Sequence, residues 1–353
     1  MSERIPAIVL GGTGYVAGEL LRLLAAHPRV ELRAVASDSQ PGESVGAAFG
    51  HLAATVGDLA FCSQDEAADL AASLPRSAVL AAAPHGVSAA LIDGLLRRAE
   101  AAGARPAVVD ISADYRFADT DTYARVYKHP HGAPARQAQF TCAVPEHLDR
   151  ITTPHAAHPG CFSTATLLAT VPLLALGLVE PRLFVSAVTG STGSGRKPTT
   201  GTHHPQRHSD MYAYSGLAHR HAPEIAALAR AASGVEADIA FIPHSGPFAR
   251  GIHATVQATL VRPLKTEDVI AGLRQFYAGR PFVRVLDTPP RLKDVVTSNY
   301  AHLGAVADGR TVAVMAVVDN LVKGAAGGGV QWMNRLLGFD ETTGLLAPAP
   351  GWT

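Results

Sequence analysis

A short apolar run, Ala7–Leu10, ends in GGTGYVAGE (Gly11 to Glu19) and passes at once into a leucine-rich segment, Leu20, Leu21, Leu23 and Leu24. A buried strand that feeds a glycine turn and then a helix leaves few folds open. Glycine lets a phosphate approach the backbone, and the helix start offers unpaired N–H groups at the positive end of its dipole. The spacing is GxxGxxA rather than GxGxxG, with Ala17 in third place. A tight strand–helix turn is the plain alternative, but this placement favours a dinucleotide site. Its candidate contacts are Gly11, Thr13, Gly14, Tyr15 and Val16.

The alternation continues. The first helix stops near His27-Pro28, Val30–Ser37 reads as a strand, and so do Ala78–Ala83 and Ala107–Ile111, with a helix at Val87–Ala101 between them. Strands alternating with helices predict a doubly wound, Rossmann-type α/β domain. Beyond about residue 155 the pattern changes. HPGCFSTATLLATVPLLALGL reads as a loop feeding a helix, and Leu183–Val188, Asp238–Ile242, His253–Leu260 and Val312–Val318 read as strands, with helical periodicity over Val330–Leu337. Runs of strands with fewer helices predict a second, α+β domain with a mixed or antiparallel sheet.

The chain has 353 residues, enough for about two domains. Thirty basic residues balance thirty acidic ones, which argues against a general grip on nucleic acid or an anionic membrane while leaving room for a local anion site. Thr166–Val179 is the most apolar stretch, is broken by Pro172, and falls short of the ~20 residues that span a bilayer. The N-terminal apolar run is too short for a signal peptide, so a soluble, cytoplasmic protein is expected. Cys62, Cys142 and Cys161 are odd in number and contain no CxxC pair, so neither a disulfide framework nor a cysteine-rich zinc site is expected.

Cys161 follows the turn Pro159-Gly160 and opens an apolar helix. A thiol there has its thiolate stabilised by the helix dipole, which suits a nucleophile; Cys62 and Cys142 read as small buried hydrophobes. A covalent cysteine mechanism needs a proton carrier near neutral pH, and AHRHAPEI supplies His219, His221 and Glu224. Histidines two apart diverge on a strand or a helix, so only one is expected to face the sulfur. His203, His204, His208, His219 and His221 also suggest a metal site, but Pro and Gly punctuate the segment and no metal is assigned. DISADYRF offers Ser112 and Arg116 to an anion, and GSTGSGRKP is either a second anion loop or a flexible turn ending in Arg196-Lys197.

Taken in order, these segments resemble the N-acetyl-γ-glutamyl-phosphate reductases, the arginine-biosynthesis branch of the aspartate-semialdehyde dehydrogenase-like superfamily. The resemblance runs nearly end to end, through GGTGYVAGELLRLL, PHGVS (Pro84–Ser88), DISADYR, HPGCFSTA, GSTGSGRKP, HRHAPEI and DNLVKGAAGGGVQWMNRLLGF (Asp319–Phe339). It implies NADPH-dependent reduction of an N-acylated glutamyl 5-phosphate to the 5-semialdehyde, with release of inorganic phosphate. It further implies Cys161 as nucleophile and His221 as acid/base, with His219, Glu224 and Tyr214 around the substrate and Arg116 with Ser112 on its phosphate or carboxylate. Ser37, Ser39, Pro84, Ser191, Gly193, Asn320 and Gly324 become further cofactor contacts. The first domain becomes discontinuous, residues 1–158 plus 325–353, around a catalytic domain at 159–324, in a homodimer or homotetramer.

Three departures stand out. The usual NPGCYPT is HPGCFST here, with His158, Phe162 and Ser163; a frequent DAKSGVSGAGR is SAVTGSTGSGR, with Ser186 and Val188. After the second strand a Ser-Arg suited to NADP is replaced by Ser37-Asp38-Ser39, and an acid there suits the free 2′-hydroxyl of NAD. NADP is the expected cofactor, with NAD kept open by Asp38. Alternatives are a sister reductase of aminoadipyl or carrier-linked acyl phosphates, an aspartate-semialdehyde dehydrogenase proper, or a dinucleotide-binding sensor without chemistry.

Overall fold

The alternating apolar runs of the first part of the chain form a parallel sheet in a computed structural model, which describes residues 4–352. Its elements are β1 (Ile5–Leu10), α1 (Tyr15–Ala25), β2 (Val30–Ala36), α2 (Gln64–Ser73), β3 (Arg76–Ala81), α3 (Ser88–Ala101), β4 (Arg105–Asp110), α4 (Thr120–Tyr127), β5 (Phe140–Cys142) and β6 (His155–Ala157). The strand order is β2-β1-β3-β4-β6-β5, all parallel. Ala7 to Leu10 of β1 are buried without alternation, because helices cover both faces of such a sheet. α2 and α3 pack one face through Ala67, Ala71, Ile92 and Leu96 against Ile8, Leu10, Val79 and Val108. Cys62 and Cys142 are half-buried against this same cluster.

Strand order reverses beside β1, with β2 on one side and β3 on the other. In open α/β sheets that reversal opens a crevice at the carboxyl ends of the strands. Gly11, the first residue beyond β1, has φ +77°, and a Cβ on it would lie 2.5 Å from the Ala83 backbone. Only glycine lets the two backbones run this close. At the end of β4, buried Asp110 accepts from the hydroxyls of Ser88 (2.7 Å) and Ser112 (2.8 Å). Asp114 accepts from the amides of Gly86 and Ala89 and from the Tyr123 hydroxyl.

The second unit is built on α5 (Cys161–Ala175), β7 (Val179–Thr189), β8 (Tyr212–Ala213), α6 (His221–Ser233), β9 (Asp238–Ser245), β10 (Ile252–Leu260), α7 (Thr266–Phe276), β11 (Val283–Val285), β12 (Ala301–Asp308) and β13 (Thr311–Val318). The sheet order is β11-β12-β13-β10-β7-β9-β8, mixed, with β7–β9 and β11–β12 parallel and the other pairs antiparallel. β7 and β10 alternate buried and exposed residues, as a sheet with one covered face requires. The cover is α5, apolar all round and buried from Phe162 to Leu174. β12 and α7 were not expected from the sequence: β12 carries an internal glycine and only weak alternation, and α7 has a low overall hydrophobicity. A single π turn, Val322–Ala326, leads into α8 (Gly327–Leu337), which packs on β3, β4 and β6.

By contact pattern, the first unit takes Met1–Cys142, Arg150–His158 and Ala325–Leu346, and the second Ala143–Asp149, Pro159–Gly324 and Ala347–Thr353. Bonds that tie segment 143–149 into the second unit include Glu146 with Lys323 (2.6 Å), His147 with the Tyr277 hydroxyl (2.9 Å), and Asp149 with Arg280. Among the described residues no helix is long and apolar enough to cross a membrane.

Burial holds His155 and His147 neutral in the fold by pushing each down to about 4, and it pushes Asp110 up to about 6. The unfolded histidines take up protons near ~6.5, so each costs stability as pH falls from 6.5 toward 4. Asp110 acts in the opposite sense between ~4 and 6, because the fold keeps its proton where the unfolded chain has lost it. Two histidines outweigh one aspartate. The urea midpoint is therefore expected to fall between pH 7 and pH 5, and a midpoint that stays level or rises contradicts this balance.

Candidate active site

Cys161 is the first residue of α5, behind Gly160, which has extended backbone and no side chain to cap the helix. In place of a side-chain cap, the Gly160 N–H donates to Glu224 Oε1 at 2.7 Å. Glu224 lies in the first turn of α6 and is fully buried. This bond brings the starts of α5 and α6 together, and the thiol, half-buried, sits at that junction. Phe162, the next residue, meets His219 and His221 edge-on, with ring centroids 5.9 and 6.0 Å away.

The fold brings together two histidines that their spacing was expected to separate. His219 and His221 both face Phe162, and their rings are 4.8 Å apart. The reason is local. α6 begins at His221, so His219 belongs to the preceding turn, and its Nδ1 accepts the His221 N–H at 3.2 Å. An accepting Nδ1 places the proton of the neutral ring on Nε2. Burial, with Arg220 nearby, pushes His219 down to about 4, so this imidazole is neutral at pH 7. Tyr214 meets His219 at 5.5 Å; burial, and then the charge of the Cys161 sulfur, push its phenol above the ordinary range.

A second set of bonds lies behind the thiol. Buried Asp319 takes Arg250 in a bidentate pair (3.0 and 3.1 Å) and the amides of Thr297, Leu321 and Val322. Asn320 accepts from the Gly251 amide at 2.6 Å and donates to the Thr192 hydroxyl at 3.0 Å, which holds the turn Ser191–Ser194 with Ser191 and Gly193. Gly324 closes on Cys161: a Cβ there would lie 2.8 Å from the Cys161 Cβ.

In the first unit, the Gly11–Gly14 loop, Ser37–Ser39 and Pro84 leave the carboxyl ends of β1, β2 and β3, which are neighbours in the sheet. α1 has no side-chain cap and no acidic residue in its first turn, and a Cβ on its N-cap Gly14 would meet nothing within 4 Å. An open, uncapped helix start of this kind fits a pyrophosphate. Thr13, Tyr15 and Val16 line the same turn; Ser37 is buried with its hydroxyl 3.2 Å from that of Ser39, and Asp38 between them is exposed. Ser112 donates to Asp110, and buried Arg116 donates to the carbonyls of His158 (3.2 Å) and Ile111 (3.1 Å). Of the histidine-rich segment, His204 and His208 approach to 5.1 Å, and no metal-binding group of three forms among the described residues.

Residues 6–153 match the semialdehyde dehydrogenase NAD binding domain, and residues 161–320 the semialdehyde dehydrogenase dimerisation domain. The chain is 40% identical over 351 residues to the N-acetyl-gamma-glutamyl-phosphate reductase of Azotobacter vinelandii, with 96% of each chain covered. It is 39% identical over 350 residues to that of Nitrosococcus oceani, with 97% of this chain and 98% of that one covered. The chain belongs to the N-acetyl-gamma-glutamyl-phosphate reductase family. The fold is similar to that of aspartate semialdehyde dehydrogenase II from Vibrio cholerae (TM-score 0.70, 16% identity, covering 95% of this chain and 99% of that one). It is also similar to aspartate semialdehyde dehydrogenase with NADP from Candida albicans (TM-score 0.65, 16% identity, covering 95% and 99%).

This reductase is thus an oxidoreductase of the phosphorylating semialdehyde dehydrogenase type, and its first unit is a nicotinamide dinucleotide-binding domain. Sequence reasoning passed over the buried Lys323–Glu146 pair and the Asp319–Arg250 pair. Lys323 did carry a signal, a lone cation in an apolar, glycine-rich run; Glu146 and Arg250 carried none. In the reductase, Gly324→Ala is expected to displace Cys161, lowering both its alkylation rate and kcat/KM by about 10²-fold with little change in Tm. Unchanged alkylation would show that the two segments separate freely.

Proposed function

We propose that Cys161 is the nucleophile through which this chain carries out the family reaction of arginine biosynthesis: reduction of N-acetyl-glutamyl 5-phosphate to N-acetyl-glutamate 5-semialdehyde with release of phosphate. The observation that carries this reading is the junction of two helix starts: Cys161 opens α5, Gly160 before it is bonded to the buried Glu224 carboxylate of α6, and Phe162 after it packs against the rings of His219 and His221. The thiolate attacks the acyl carbon, the carbon–oxygen bond to phosphate breaks, and inorganic phosphate leaves with the electron pair, giving a thioester. When bound, a nicotinamide dinucleotide supplies the hydride for the thioester carbonyl. His221 protonates the resulting oxyanion and takes the proton back as the carbon–sulfur bond breaks, which frees the aldehyde and restores the thiolate. His219, held neutral, orients His221 through the backbone bond at its Nδ1.

Dinucleotide binding is assigned to residues 1–158 with 325–353, and catalysis and substrate binding to 159–324. Gly11, Thr13, Gly14, Tyr15, Val16, Ser37, Ser39, Pro84, Ser191, Gly193 and Gly324 are the contacts we assign to the cofactor. Asn320, bonded at both ends of its amide, acts by holding the Ser191–Gly193 turn. Tyr214, His219 and Glu224 surround the substrate, with Ser112 and Arg116 on its anionic end. NADP is the cofactor of this reading; exposed Asp38 at the end of β2 favours NAD as the second one. The three cysteines form no disulfide, which suits a cytoplasmic enzyme.

The reaction is tested in reverse, as phosphate-dependent reduction of NADP, and separately NAD, with N-acetyl-glutamate 5-semialdehyde. Turnover is expected, and the NADP/NAD ratio decides the cofactor. Cys161→Ser is expected to lower kcat on the order of 10³-fold or more while dinucleotide affinity stays the same. His221→Asn is expected to lower kcat and flatten its pH profile; an unchanged profile moves the proton-transfer role to His219.

A homodimer or homotetramer accompanies this reading. The face of the mixed sheet opposite α5 carries exposed Phe184, Ile242 and, beside them, Leu217 around a hollow of about 630 Å³, in the unit that matches a dimerisation domain. Apolar groups gathered on one face mark an interface, here with a second copy. Phe184→Glu is expected to lower the mass seen by light scattering, and an unchanged mass excludes this face.

A further inference from the structure

Lys323 is fully buried one residue before Gly324, inside the single π turn Val322–Ala326. Its Nζ donates to Glu146 Oε1 at 2.6 Å, and the Phe282 ring lies 5.5 Å from the ammonium. Glu146 is buried as well. A buried ion pair adds little net stability over an apolar pair of the same volume, because both charges give up their hydration. The turn that carries this pair is of a rare type that gathers at functional sites.

Both neighbours of the pair grip α5. On the Lys323 side, the Gly324 N–H donates to the Asp319 carbonyl at 2.9 Å, and the Gly324 backbone closes on Cys161. A Cβ on Gly324 would lie 2.8 Å from the Cys161 Cβ and 3.1 Å from its Cα. On the Glu146 side, His147 Nε2 lies 2.9 Å from the Tyr277 hydroxyl, which donates to the Leu168 carbonyl at 2.7 Å. With the hydroxyl proton committed to Leu168, the imidazole is the donor between the two. Leu168 needs this bond, because its helical partner four residues on is Pro172, which has no N–H. The short turn Pro145–His147 thus holds α5 about two helical turns past the thiol and, through Lys323, the backbone that abuts the thiol itself.

We infer that Lys323 and Glu146 are positioning residues for the Cys161 thiol: their pairing fixes the Gly324 backbone against the first residue of α5. The inference rests on the reading of Cys161 as nucleophile. Its first readout, alkylation of Cys161 by iodoacetamide followed by mass spectrometry, needs no turnover, and Cys161→Ser tests that reading separately.

Glu146→Leu combined with Lys323→Met removes both charges and keeps an apolar filling, so Tm is expected to stay close to the parent's. The alkylation rate of Cys161 and kcat are each expected to fall about tenfold, with KM changed less than about twofold. A folded double variant with the parent's alkylation rate and kcat overturns the inference. Glu146→Gln alone keeps an acceptor for Lys323 and is expected to retain more of both rates than the double variant, although its Tm falls further, since one buried charge loses its counterpart. Rates that follow Tm instead overturn the inference. In the parent chain, hydrogen exchange over residues 320–324 is expected to be as slow as in α5, as a rigid support requires. Exchange there much faster than in α5 overturns it as well, whatever the variants' folding.

Discussion

A single buried carboxylate organises the second unit. Asp319 has no exposed surface and accepts five hydrogen bonds, two from Arg250, one from the Thr297 amide and two from the amides of Leu321 and Val322. Those donors come from the segment before β10, the loop before β12 and the chain after β13. Charge-assisted bonds contribute roughly 1.5–3 kcal/mol each, and removing one partner of a buried ion pair costs about 3–5 kcal/mol. With Asp319 in place, Asn320 reaches Gly251 and Thr192, and the next turn sets Gly324 against Cys161. The positions of the thiol and of the Ser191–Ser194 turn both descend from this one side chain.

The Glu224–Gly160 bond does the complementary work from the other side. It pins the start of α5 through the Gly160 amide, just before the helix, where no side chain caps the first turn that the thiol opens. A serine or aspartate in the capping place would bond the same amides that stabilise a thiolate. Two helix starts facing each other also put positive dipole ends around the sulfur. His219 adds no charge there, because burial keeps it neutral.

Much of this was legible in the chain. The first unit reads as strand and helix in turn because its strands are buried on both faces and its helices are amphipathic, and both patterns repeat within a few residues. The glycine loop and the Pro-Gly-Cys start of α5 are equally local. β12 was missed because a glycine interrupts its weak alternation, and α7 because its overall hydrophobicity is low, although its apolar residues recur at helical spacing. The convergence of His219 with His221 was missed because it depends on where α6 begins.

By itself, the sequence determined the type and order of the main elements, the turn that exposes a helix start to a dinucleotide, and the presence of a thiol at a second helix start. Tertiary structure alone decided which groups those starts would face. Glu224 meets Gly160 across 64 positions and Lys323 meets Glu146 across 177. Periodicity and turn chemistry act over a few residues, whereas a buried charge is satisfied by whichever donor the packed core brings within about 3 Å. That choice belongs to the whole chain at once, and no local pattern records it.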